Sequence, residues 1–403
     1  MITFNTLGDM LLRRYITDYI GSMQQLSAPI YTQLRENGNF IPSGDGAYFA
    51  VRVKGNEAGG GWRGTDDNTL PTASNEHIVQ ARVRPKKYYH TVTFSGLAEA
   101  VSARGGEDAF ASGITDAIST AVRRAGARFE VDFLRGDGTG RLTNVAATAT
   151  ATTTVSVDDA RPFRAGMVIV GLNNTTGLRQ FGPVTVTARD VANAQISVSS
   201  AVKGAVDDGI YISGEQSEAA APTEVTALGL PAIVSATGTL YNLSRTTHPV
   251  LQSKVIAAGS VALDEALLRR LRRQLLVETD VGTLDGFVMI SNWEQYDRYT
   301  EISLPFRRFN YMRLELGGQQ ELTTFEGRPW LISWAAIPDQ VFLLNLGAIE
   351  RGVVRPLSID ERVNMAWVPG QDAFTVLMKY YGENVARLLN QTAKLTGLTT
   401  PTY

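Results

Sequence analysis

Between residues 106 and 140, apolar side chains recur at spacings of three and four: Phe110, Ile114, Ile118, Ala121, Val122, Ala125, Phe129 and Phe133. That period places them on one face of a helix. Arg123, Arg124 and Arg128 fall largely outside the stripe. Asp108 sits in the first turn and Arg135 in the last, each complementing the helix dipole. At about 1.5 Å per residue the run is roughly 43 Å long. One apolar stripe on so long a helix predicts a strut laid against a sheet. The turn Gly136-Asp137-Gly138-Thr139-Gly140 stops it.

Elsewhere the period changes to two. Residues 48–54 alternate Phe49, Val51 and Val53 against Arg52 and Lys54. Residues 77–94 alternate Val79, Ala81 and Val83 against Gln80, Arg82 and Arg84, with Pro85 interrupting. These runs predict a long two-stranded arm with a polar, glycine-rich tip over residues 55–74. Such an arm cannot bury both faces within one chain. Before it, residues 9–35 read mostly helical through Met10, Leu11, Ile16, Tyr19, Ile20 and Met23, with Pro29 opening a second turn. Gly38, Pro42, Gly44 and Gly46 end that run.

After the strut the chain turns Thr/Val-rich. Residues 145–213 read as about four to six short strands without a helix, a small β-barrel or sandwich inserted into a larger domain. An Ala-rich stretch, 215–226, leads back. The remainder mixes helix and strand. Residues 263–278 form a helix with Leu267, Leu268, Leu271 and Leu275 on one face. Residues 287–290 are a buried strand, and Ser291 or Asn292 caps a helix through Tyr299. Residues 330–334, 341–346 and 374–381 are further strands, and 385–394 a mixed tail. The fold class is α+β, without regular βαβ units.

Composition narrows the function. Hydrophobic residues make up 44% and charged residues 19% of the 403, as in folded proteins. The net charge of −2 excludes a protein that coats nucleic acid with a wide basic face. The sequence has no cysteine, hence no disulfide and no thiolate metal site. No apolar run approaches the 18 or so residues of a membrane span, and the first residues lack the pattern of a secretory signal.

Catalytic chemistry is not found. His77, His90 and His248 are far apart and fit no metal-ligand spacing. No nucleophile elbow, phosphate-binding loop or dinucleotide fingerprint occurs. The turn at 136–140 follows a helix instead of opening one, so it cradles no phosphate. Asp158–Asp159 and Asp207–Asp208, paired carboxylates in turns, read as solvated turn acids, with a cation site as the alternative. Thus no catalytic, cofactor or metal residues are expected. Arg269, Arg270, Arg272 and Arg273 are the densest basic cluster, with 269, 272 and 273 sharing a helix face. They read as a solvated face balanced by Asp264, Glu265 and Glu278, or as candidate contacts with another subunit or with DNA.

In order and spacing these parts resemble the major capsid proteins of tailed bacteriophages with the HK97 fold, along essentially the whole chain. The carriers are the helical arm, the β arm with its glycine-rich tip (the E-loop), the long helix ending in Gly-Asp-Gly-Thr-Gly, the segment from Gly229-Leu230-Pro231 to Pro249, and the stretch 325–333. At Ser333 and Trp334 family members often have an acidic residue, so no role is carried over there.

The resemblance implies an N-terminal arm (1–45), an extended β arm (46–95), the spine helix and start of the peripheral domain (96–141), the inserted all-β module (142–216), an axial domain with peripheral elements (217–355) and a closing segment (356–403). It implies a non-enzymatic shell of pentamers and hexamers around double-stranded DNA, assembled in the host cytoplasm. Expected partners are other copies of the chain, a separate scaffolding protein, a portal protein, the packaged DNA and, optionally, decoration proteins, but no membrane. The scaffold is expected to be separate because the N-terminal helix starts about eight residues after Met1. At the arm tip Gly59, Gly60, Gly61, Trp62 and Arg63 are contact candidates, with Trp62 as the anchor. Two other readings are weighed: an encapsulin-type cellular compartment, and a β-rich carbohydrate-binding or adhesive protein.

Overall fold

The structure is a computed structural model that describes residues 28–55, 75–95, 107–218, 220–279, 286–303, 324–359, 366–367, 370 and 372–400. The expected helical run before residue 28 and the arm tip lie outside them. Helix α1, Glu107–Arg135, is the strut, 29 residues long. Ile118, Ala121, Val122, Ala125, Phe129 and Phe133 are buried as the stripe predicts. The side chains of Phe110 and Ile114 are outside the description. Arg128, expected outside the stripe, is buried.

A five-stranded sheet packs on α1 through Tyr88 and Tyr380, whose rings lie 5.0 and 4.8 Å from Phe129. Its long strand Ala373–Ala386 pairs antiparallel with Ile349–Ile359 and with Lys86–Ser95. Arg35–Glu36 joins the edge in parallel, so residue 35 is strand and not helix. A single 3₁₀ turn, Tyr31–Gln33, follows Pro29.

The extended run 77–94 proves to be two strands with different destinations. His77–Val83 pairs with Ala47–Lys54 as a separate two-stranded ladder. Proline has no N–H to give a ladder, and at Pro85 the chain leaves the arm and enters the body sheet as Lys86–Ser95.

The Thr/Val-rich region is an inserted all-β module of six strands. Their order is Thr143–Asn144, Gly209–Ile212, Val168–Leu172, Arg179–Asp190, Gln195–Gly204 and Ala149–Ser156. The Ala146 N–H donates to Ser156 O at 2.9 Å and the Asp158 N–H to Asn144 O at 3.1 Å. These bonds join the last strand to the first, so the sheet closes on itself as a barrel. Val155, Phe163, Ile169, Val186, Ile196 and Ile210 fill it.

A short helical turn, α2 (Leu230–Ile233), leads into a second six-stranded sheet. Its strands run Lys254–Val261, Thr392–Leu398, Val341–Asn345, Phe287–Ser291, Arg328–Ile332 and Thr324–Phe325. The supposed mixed tail therefore contains a strand, paired parallel with Lys254–Val261. Every residue of Phe287–Ser291 is buried, as in a strand covered on both faces. Val288 and Ile290 face the main core with Phe342 and Leu344. Phe287 and Met289 face a second core with Leu268, Leu271 and Leu275 of α3 (Glu265–Thr279). Helix α4, Trp293–Ser303, shares that second core through Tyr296 and Tyr299. Asn292 caps α4, accepting the Gln295 N–H at 3.2 Å. No helix among the described residues is long and apolar enough to cross a membrane.

Candidate assembly interface

The described part of the arm is rooted at its base. Ala47, Ala81 and Val83 at its base are buried, whereas Tyr48 and Ile78 are 45% and 54% exposed. Its root is Tyr241. The Arg82 N–H donates to Tyr241 O at 3.1 Å, and the Phe49 ring meets the Tyr241 ring edge-on at 5.7 Å. The Tyr241 hydroxyl donates to Asn384 O at 2.7 Å and accepts the Ala386 N–H at 2.9 Å. Tyr241 and Asn242 hold φ of 48° and 69°, a region unfavourable for side chains beyond glycine and asparagine. A backbone held there by several bonds is over-determined. Asp45 clamps the root from outside, 2.6 Å from Arg82 and 2.9 Å from Arg84. Its hydrogen bond from Arg84 holds the carboxyl below its ordinary range. Gly59, Gly60, Gly61, Trp62 and Arg63 fall outside the described residues.

The end of α1 is the opposite kind of place. Arg128 Nε donates to Asp132 and Nη2 to Glu215, both at 2.9 Å. Burial pushes both carboxyls up, and the guanidinium pulls them back. Arg135 pairs with Asp159 of the barrel and donates to Ala335 O at 2.6 Å and Ala336 O at 3.2 Å. Asp159 is thus a buried ionic partner and not a solvated turn acid. Asp208 is buried as well, accepting the Ala205 N–H at 2.7 Å. Arg161 continues the chain of charges to Glu294 on α4. Glu130 is wholly buried and accepts the Tyr31 N–H at 2.9 Å and the Ser333 hydroxyl at 2.8 Å.

The glycine turn completes this joint. The Val225 and Thr226 N–H groups donate to Gly138 O at 2.9 and 3.0 Å. At Gly138, φ is +90° and a Cβ would lie 2.7 Å from Leu228. Gln216 Nε2 donates to Thr139 O and Thr223 O. Both ends of the module are therefore locked to the helix end.

Glu383 accepts the N–H groups of Leu228 at 2.7 Å and Asn384 at 3.0 Å. Burial pushes its carboxyl up to about 8, against a smaller pull from Lys86. Sequence reasoning missed Glu130, Glu215, Glu383 and Tyr241. Their partners are distant in the chain, with 203 positions separating Glu130 from Ser333, so no local pattern marks them.

The four arginines of α3 divide in two. Arg269 pairs with Glu265 at 2.6 Å, and Arg272 pairs with Glu326. Arg270 and Arg273 are exposed outside those pairs. Among the described residues, no group of His, Asp and Glu is placed to hold a metal ion.

No protein-family model matches the chain, and no curated protein matches it. Solved structures do. The chain is similar to the capsid asymmetric unit of cyanophage A-1(L), with 13% identity and a TM-score of 0.53 over 93% of each chain. Similarity to the capsid of an empty GTA particle is 8% identical, TM-score 0.47, over 91% of this chain and 94% of that one. For Gordonia phage Cozz the figures are 13%, 0.45, 93% and 87%. The first of these carries the assignment of fold: the chain has the HK97-like capsid fold, α+β, with an inserted all-β module.

Proposed function

We propose that this chain is a structural major capsid protein, assembling as pentamers and hexamers into an icosahedral shell around the double-stranded DNA of a tailed phage. The observation that carries the proposal is the arm. Its root is fixed by buried hydrogen bonds, and among the described residues its two strands pair with no third. A two-stranded ladder is marginal alone. Its missing surface comes from a neighbouring copy in a closed symmetric assembly. In this reading the tip residues 59–63 lie on the neighbour with Trp62 as anchor, and the α3 arginines serve subunit contacts. The barrel stands on the outer surface. A scaffolding protein, a portal and the packaged DNA are the further partners, with decoration proteins optional, and the protein resides in the virion.

Electron microscopy of the overexpressed chain, alone and with its scaffolding partner, tests this. Few or aberrant particles are expected from the chain alone, and empty, uniform icosahedral shells with the scaffold. Dispersed monomers would overturn it, and shells loaded with a cellular protein cargo would replace it with the compartment reading.

A further inference from the structure

Helices α3 and α4 each present an exposed stripe, and the two are complementary. On α3 the stripe is Ala266, Arg269, Arg270, Arg273 and Val277, with Val277 71% exposed. On α4 it is Trp293, Asp297 and Glu301, spaced by four, with Trp293 48% exposed. Each stripe thus combines one large exposed apolar group with charges of a single sign. We propose that these are the two halves of one contact, the basic stripe of α3 in one copy seating on the acidic stripe of α4 in the next. This inference rests on the shell-forming function proposed above and names the surfaces through which the copies meet.

The pairing is not made within one chain: among the described residues no ion pair joins the two helices. Both helices cover the same face of the second sheet and share its core. Helix α3 lies over Lys254–Val261 and Thr392–Leu398, towards one edge. Helix α4 lies towards the other, where Tyr296 and Tyr299 pack on Trp330 with ring centroids at 6.0 and 4.7 Å. Both stripes are exposed and face away from that shared core. Two unlike patches that join different copies make a head-to-tail contact, and repetition of that contact closes a ring if its rotation allows.

The charges are also incompletely used. Glu294 is taken by Arg161, and Arg269 and Arg272 by Glu265 and Glu326. Glu301 has only the exposed Arg298, 3.2 Å away, a kind of pair worth little. Arg270, Arg273 and Asp297 lie outside these pairs. Partial burial, then repulsion from Glu294 and Glu301, holds the Asp297 carboxyl above its ordinary value. A neighbour's guanidinium would relieve that repulsion. Trp293 offers a ring face to an arginine or an apolar seat to Val277.

Charge reversal tests the contact. One variant carries Arg270→Glu and Arg273→Glu, a second carries Asp297→Lys and Glu301→Lys, and a third carries all four. These exposed changes should leave thermal unfolding of the dissociated subunit close to wild type. Each of the first two should lower particle yield more than about tenfold, because like charges then face across the contact. The fourfold variant should assemble again. Co-expression of the first two should restore rings of even number only, as every contact must join unlike chains, and native mass spectrometry reads that directly. Normal assembly of either reversed variant, or no recovery in the fourfold variant, would overturn the contact while wild-type shells still support the function. A wild-type chain that never leaves the monomer would overturn both.

Discussion

Around the end of α1, charged groups from separate segments complete one another inside the chain: Arg128 with Asp132 and Glu215, and Arg135 with Asp159. In the arm, the strands Ala47–Lys54 and His77–Val83 bury only Ala47, Ala81 and Val83, at the base; beyond them every residue is exposed or half-buried. The first region buries charge, which is tolerable only when each group is paired. The second exposes backbone and apolar side chains, which is tolerable only while no competing surface is present. The contrast separates what the subunit finishes by folding from what it leaves to assembly. Changes in the helix joint should act on the folding of one subunit. Changes in the outer arm should act on the particle.

The largest effect is expected from Arg135→Met. It leaves Asp159 buried and removes the donor to Ala335 O and Ala336 O. Denaturant unfolding of dissociated subunits should show a loss of about 3–5 kcal/mol. A loss below about 1 kcal/mol would class this pair with exposed ones. Next comes Glu383. Its folded pKa of about 8 lies above the ordinary 4.5, so the folded state holds its proton more tightly than the unfolded state. The stability this contributes is complete below about pH 4.5 and is lost as pH rises through about 8. Each tenfold difference in proton affinity is worth about 1.4 kcal/mol. Glu383→Gln keeps an acceptor for the Leu228 and Asn384 N–H groups. Its melting temperature should match wild type near pH 4.5 and exceed it at pH 9; equal pH profiles would refute the assignment.

Tyr241→Phe leaves a buried carbonyl on Asn384 and an N–H on Ala386 unpaired, at about 1–3 kcal/mol. It should loosen the arm root, read as faster amide exchange at Arg82. The smallest effect on the subunit is expected from Ile78→Thr, which should stay within about 0.5 kcal/mol. The same change should lower the melting temperature of assembled particles. Equal losses in subunit and particle would erase the distinction between the two regions.

The sequence made some of this visible. The stripe of α1 needs only local spacing, and the Asn292 cap is a local signal too. The Thr/Val strands of the module alternate with turn residues, so the presence of a barrel or sandwich was readable. Its closure, made by bonds between residues 144–146 and 156–158, was not. Alternation could not tell the arm strand His77–Val83 from the body strand Lys86–Ser95, because both have period two. Arg128 falls outside the apolar stripe; its burial follows from Glu215, 87 positions away, joining the local pair with Asp132. Lys394 hid a strand in the same way. Its ammonium is buried against the Pro231 carbonyl at 3.2 Å, where the polarity of the segment suggested a tail. The α3 arginines were recognisable as a cluster. Their division into two paired and two outward-facing groups depends on Glu265, a local neighbour of Arg269, and on Glu326, which only the fold brings near Arg272.

Amide hydrogen exchange, measured on the assembled particle and on dissociated subunits, tests most directly whether a neighbour completes the arm. Protection at the outer arm residues 52–54 and 77–79 should be strong in the particle and weak in the subunit, while residues 128–135 of α1 stay protected in both. Equal protection of the outer arm in the two states would contradict the account.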